Sequence, residues 1–217
     1  MRVSAVPDRP GTVRRLALDP PTVPAELLLR LVKYKNLARV PPPIWEAARQ
    51  VAAEAGRLAA PEAVLWRGPV AAEPDGVVTL AGTARLRSRV LARMLATSRE
   101  AFVLVLTVGP AIEERARVML EARLLLEGFL MDTAGWAAIE LTVRGIRLRL
   151  REEERRHGRS VTHRLGPGHC DWLLEEQMTL IALFGDAPLP VTLTDAACMQ
   201  PCKSISAVYG IVAGERG

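Results

Sequence analysis

The stretch HRLGPGHCDW, residues 163–172, gathers two of the three histidines and one of the three cysteines of a 217-residue chain. Arg164 offers a planar fork that pairs with a carboxylate through two parallel hydrogen bonds. Gly166-Pro167-Gly168 is a tight turn whose backbone can approach a ligand with no Cβ in the way. His169 can donate, accept or ligate a metal near neutral pH. Asp171 is placed to cap a helix starting at Trp172 or Leu173. These residue types describe a loop site for an anion or a zwitterion. Cys198 and Cys202 form a C-x3-C pair, and Cys170 with His163 or His169 would complete four metal ligands. Cysteines that are simply buried and inert are the competing reading. Three cysteines are an odd number and too few for a disulfide scaffold, which fits a reducing, cytoplasmic setting.

Asp132 is an acid inside an apolar helical run, and it needs a partner or a cleft. Around it Gly128, Ala134, Gly135, Ala137 and Ala138 form a small-residue stripe, which suits close packing of helix on sheet. Gly109-Pro110 ends an apolar strand and opens a helix; its free N–H groups would suit an anion, although such turns are also ordinary connections. The run Arg144 to Arg156 is basic, but Glu152, Glu153 and Glu154 sit at helical spacing from its arginines. A self-paired, solvated face follows. A net charge of +5 favours anionic partners. Charge is the only support for nucleic acid, since no aromatic stacking platform accompanies it.

The elements that must position these residues follow from pattern. Hydrophobic residues make up 49% of the chain and aromatics 4%, so an aliphatic core can form. No apolar run approaches the ~20 residues needed to cross a membrane. The N-terminus has no continuous apolar segment of the secretory kind. Residues 1–24 carry five prolines and read as an extended arm, leaving 25–217 as one domain. Helices are expected over 25–35, 44–59, 85–96 and 173–184, with a helix opening at Gly109-Pro110 and one long helix from 124 to 156. Strands are expected in 62–70, 76–80, 191–195 and 204–212. The continuous apolar run 101–108 suits a strand buried on both faces. Strands do not alternate regularly with helices, so the class is α+β and not a doubly wound sheet.

RLGPGH resembles the R-x-x-x-G-Y motif of the activation (reactivation) domain of cobalamin-dependent methionine synthase. VTLTDAACMQPCKSIS is similar to a later segment of that domain, with Thr194, Asp195, Met199, Pro201, Ser204 and Ser206 at matching positions. LTVGPAIEE and LMDTAGWAAIE look like two stretches of its short, stand-alone relatives. The resemblance runs over about residues 25–212. It implies an α+β fold, a twisted antiparallel sheet with flanking helices. It also implies binding of S-adenosylmethionine and service to a corrinoid (cobalamin) on a corrinoid-binding protein or truncated methionine synthase in trans, where the oxidised corrinoid is reduced and remethylated. Arg164 would take the methionyl carboxylate, and Gly166 and Gly168 would give backbone approach. His169, with Cys170 beside it, would stand next to the methyl group and the cobalt. Asp132, Thr194, Met199 and Ser204 would complete the ligand site. Two positions depart from the family pattern: His169 stands where the motif has tyrosine, and Trp136 falls where the family has an acid. A binding module that has lost the donor site therefore stays open beside the methyltransferase reading, as does a cysteine-based metal or redox protein.

Overall fold

The computed structural model describes residues 11–214. The elements in chain order are β1 (Thr12–Leu16), α1 (Ala25–Leu31), α2 (Pro42–Leu58), β2 (Glu62–Ala72), β3 (Val77–Leu80), β4 (Ala84–Arg87), α3 (Arg89–Leu95) and β5 (Glu100–Thr107). Then come α4 (Ala111–Glu121), α5 (Leu125–Arg155), β6 (Arg159–Val161), α6 (Gln177–Ala182), β7 (Thr192–Leu193), β8 (Met199–Gln200) and β9 (Ser204–Ala213). The main sheet runs β4-β3-β2-β5-β9-β6, with β1 on β2 as well, and every pairing in it is antiparallel. The fold is α+β, an antiparallel sheet with flanking helices.

β5 shows why the sheet lies in the middle. Its sequence, EAFVLVLT, is apolar on both faces, and each face buries a separate core. Phe102, Leu104 and Leu106 point to a core closed by α1, α2, α4 and α5. Ala101, Val103 and Val105 point to a second core that holds Leu91 and Leu95 of α3, Leu180 of α6, Leu165 and Trp172. β9 continues both layers, because Tyr209 pairs with Phe102 and Val208 with Val103.

The small-residue stripe of α5 is used for packing. Ala134, Ala137 and Ala138 are buried in the first core. A Cβ on Gly128 would meet Leu120 of α4 at 2.7 Å. At the charged end of α5, Glu152 pairs along the helix with Arg155 at 3.0 Å and Arg156 at 3.6 Å, while Glu153 pairs with Arg14 of β1, and Arg147 and Arg149 donate to the Thr162 and Ala17 carbonyls. Glu154 is buried and holds Arg67 of β2 at 3.1 Å and Arg159 of β6 at 2.7 Å. Both arginines also pair with Glu100 of β5, so four charges tie α5 to three strands.

Several expectations differ from the structure. Residues 85–96 are not one helix. Leu86 is buried between exposed Arg85 and Arg87, a strand alternation, and Ser88 then caps α3 by accepting from the Leu91 N–H at 3.0 Å. Residues 173–184 begin with a 3-10 turn, Leu174–Glu176, before the short α6; no side chain caps that start. Of 191–195 only Thr192–Leu193 is strand, in a two-stranded hairpin with β8. Thr12–Leu16, read as part of an arm, is a strand paired with Ala63–Arg67. Residues 1–10 of that arm lie outside the described residues. Among the described residues, no helix is long and apolar enough to cross a membrane.

Candidate functional site

The glycine turn is built onto the edge of β9. Leu165 and Val208 exchange backbone hydrogen bonds of 3.1 and 2.8 Å, which lays the motif beside that strand. Gly166 is forced by contact: a Cβ there would lie 2.7 Å from the Ser206 carbonyl oxygen. Gly168 is forced by conformation, with φ of +82°. The turn closes through the Gly168 N–H donating to the Trp172 carbonyl at 2.8 Å and the Trp172 N–H donating to the His169 carbonyl at 3.1 Å. His169 and Cys170 are exposed on its outer side, while Trp172 anchors it in the second core and donates Nε1–H to Glu176 at 2.8 Å.

Asp171 does not cap the helix that follows it. Its carboxylate accepts from the Ser88 hydroxyl at 2.6 Å and from the Arg89 N–H at 2.8 Å, so it caps α3, more than eighty residues earlier in the chain. The Ser88 hydroxyl, helped by those backbone N–H groups, holds the Asp171 carboxyl below its ordinary pKa. The motif and α3 are thus locked together by one side chain.

The other wall is α5. Arg164 pairs with Glu140 at 2.5 Å, and Lys203 pairs with Asp132 at 2.6 Å. Trp136 lies between them in sequence, half exposed, with the Lys203 ammonium 4.7 Å from its ring centroid. Positions 132, 136 and 140 recur every four residues, so they share one helix face over about 12 Å. The Lys203 side chain is 5% exposed. Its stem runs against Gly135, where a Cβ would meet it at 2.9 Å. Tyr209 of β9 is close enough to Arg164 and Arg147 to feel their charge. Its hydroxyl is buried and, among the described residues, has no hydrogen-bond partner. Burial pushes its pKa up to about 12, against the opposing pull of Arg164 and Arg147.

The structure brings Arg164, Gly166, Gly168 and His169 together on one turn, and it places Asp132 on the facing helix. Thr194, Met199 and Ser204 have inward tasks. The Thr194 hydroxyl accepts from the Cys198 N–H at 3.2 Å, and the Ser204 hydroxyl donates to the Pro201 carbonyl at 2.6 Å. Met199 packs on the second core. Cys170, Cys198 and Cys202 are free and exposed, which overturns the buried reading. Among the described residues no group of three or more His, Cys, Asp or Glu is placed to hold a metal ion, so the thiolate set is not assembled.

Four residues of the site were not singled out from sequence: Lys203, Tyr209, Glu113 and Gln177. Glu113 accepts from the Cys202 and Lys203 N–H groups at 2.8 and 3.2 Å, holding the approach to β9. Gln177 is buried and accepts from the Ser206 hydroxyl at 2.9 Å while donating to the Ala197 carbonyl at 2.5 Å. Lys203 carried one signal, being one of only three lysines and lying inside the CMQPCKSIS segment.

No protein-family model matches the chain. No curated protein matches it. Among solved structures it is similar to the MetH reactivation domain bound to AdoHcy, with a TM-score of 0.61 and 12% identity, over 95% of this chain and 80% of that one. At that identity the likeness is one of architecture: the chain has the fold of the MetH reactivation domain.

Proposed function

We infer that this chain binds S-adenosylmethionine on the surface between the glycine turn and α5, and serves a corrinoid protein in trans. The observation that carries the reading is the Arg164–Glu140 pair: on this fold, beside this turn, Arg164 already grips a carboxylate. The residues therefore fit the amino-acid end of the ligand. S-adenosylmethionine would supply the methyl group, and a partner's corrinoid, reduced by one electron, would receive it. Arg164 would hold the ligand carboxylate, and the buried Tyr209 hydroxyl would be a second donor near it. Gly168, with no Cβ, would leave room for the ligand beside the turn. Asp132 would balance a positive charge, as it now does for Lys203. His169 and Trp136 are exposed and would face the partner. The chain's contribution is placement of donor and acceptor, which removes entropy from the barrier.

The pairing of Arg164 with the protein's own acid also favours a second reading, a corrinoid-protein binding module with no donor. The two separate on one assay. Cob(II)alamin is incubated with the chain, S-adenosylmethionine and titanium(III) citrate, and its visible spectrum is followed. The proposed function predicts methylation that depends on the chain and is lost in Arg164→Ala. Equal rates with and without the chain would leave the binding module.

A further inference from the structure

We propose that Glu140 is a built-in competitor for the ligand carboxylate, so that binding at Arg164 is an exchange of one carboxylate for another. The proposal rests on the reading of Arg164 as the carboxylate site. Glu140 Oε1 lies 2.5 Å from Arg164 Nη2. Its side chain is 58% exposed and that of Arg164 30%, so the acid sits on the solvent side of the guanidinium and can leave without disturbing the core. Arg164 itself is held from beneath, because Leu165 is fixed to Val208 and Gly166 packs on the Ser206 carbonyl.

The pair is asymmetric in a way that suits exchange. The other ion pair of this face, Lys203 with Asp132, buries its cation and packs it against Trp136 and Gly135. Among the described residues, Arg164 Nη2 is the one hydrogen-bond partner of the Glu140 carboxylate. Among the described residues the buried Tyr209 hydroxyl has no hydrogen-bond partner, and its ionisation is sensitive to the charges of Arg164, Arg147 and Glu140. Glu140 thus sets a threshold: ligands must bring a carboxylate that outcompetes it, and adenosyl compounds lacking that group gain nothing when it leaves.

The test compares wild type, Glu140→Gln and Arg164→Ala by isothermal titration with two ligands. S-adenosylhomocysteine carries the carboxylate and 5′-methylthioadenosine does not. An exposed ion pair is a weak competitor, so Glu140→Gln is expected to bind S-adenosylhomocysteine about two- to five-fold more tightly. Its affinity for 5′-methylthioadenosine should be unchanged. Glu140→Gln equal to or weaker than wild type, with Arg164→Ala still losing S-adenosylhomocysteine, would overturn the competitor while leaving the ligand site standing. Equal tightening for both ligands would also overturn it, since a change in general access would do that. If neither ligand binds any of the three proteins, the proposed function falls together with the competitor.

Discussion

Tyr209 carries the sharpest consequence at the scale of single residues. Its buried hydroxyl has no partner among the described residues, and its pKa is pushed up to about 12 by burial. An orphaned buried hydroxyl costs about 1–3 kcal/mol. Tyr209→Phe is therefore expected to raise the free energy of unfolding by about 1 kcal/mol in urea while weakening S-adenosylmethionine binding; lower stability would show that the hydroxyl is satisfied in the free protein. The same burial gives a pH dependence. The folded phenol ionises above its ordinary value of 10.0, so it stays protonated where the unfolded one does not. Its contribution is full below pH ~10 and is lost as pH rises toward ~12. Tyr209→Phe should flatten that alkaline limb of the unfolding midpoint. Gly166 behaves differently. A Cβ would sit 2.7 Å from a backbone oxygen that cannot rotate away, so Gly166→Ala is expected to cost about 1–3 kcal/mol by urea unfolding. An unchanged midpoint would mean that β9 yields there. Gly166 and Arg164 stand out in the sequence because a Gly-Pro-Gly turn calls for residues without a Cβ and the arginine beside it offers a carboxylate fork. Tyr209 was not, since an aromatic in an apolar strand reads as core until its hydroxyl is traced.

At the scale of elements, the C-terminal end of α5 is fixed to the sheet by charge. Glu154 is 1% exposed and faces two arginines whose side chains keep about a third of their surface in solvent. Removing the buried carboxylate leaves both cations to Glu100 alone. Glu154→Gln should cost about 2–3 kcal/mol in urea, somewhat below the range of about 3–5 for fully buried pairs. A cost below about 0.5 kcal/mol would show that solvent already screens the network. Glu100 gives its acid limb: the Arg67 hydrogen bond holds its carboxyl below the ordinary value of 4.5. That contribution is present above pH ~4.5 and is lost as pH falls through the lowered folded value. The elements were legible where pattern and burial agree, as in β5 and α5. Residues 85–96 misled because Leu86, Val90 and Met94 recur every four residues across a strand and a separate helix. β6 and β8 are too short to show a period. Asp171 shows the other limit: its local setting suggests a cap for the following residues, and its partner is eighty residues away.

At the scale of the whole molecule, one sheet buried on both faces leaves the candidate site at a border. The glycine turn hangs on the edge of β9, and α5 crosses beside it. The chain shares this architecture with the MetH reactivation domain at 12% identity. The architecture was expected from the order of four short motifs, each weak by itself. The pairing of Arg164 with Glu140 was beyond reach of the sequence, because it joins residues 24 apart through the packing of two elements. Under the proposed function, Arg164 and the turn behind it receive the carboxylate of S-adenosylmethionine. Isothermal titration of the chain with that ligand is expected to show saturable binding at one ligand per chain, weakened about ten- to a hundred-fold in Arg164→Ala by loss of a charged hydrogen bond. No heat with the wild-type protein, or undiminished binding in Arg164→Ala, would contradict it.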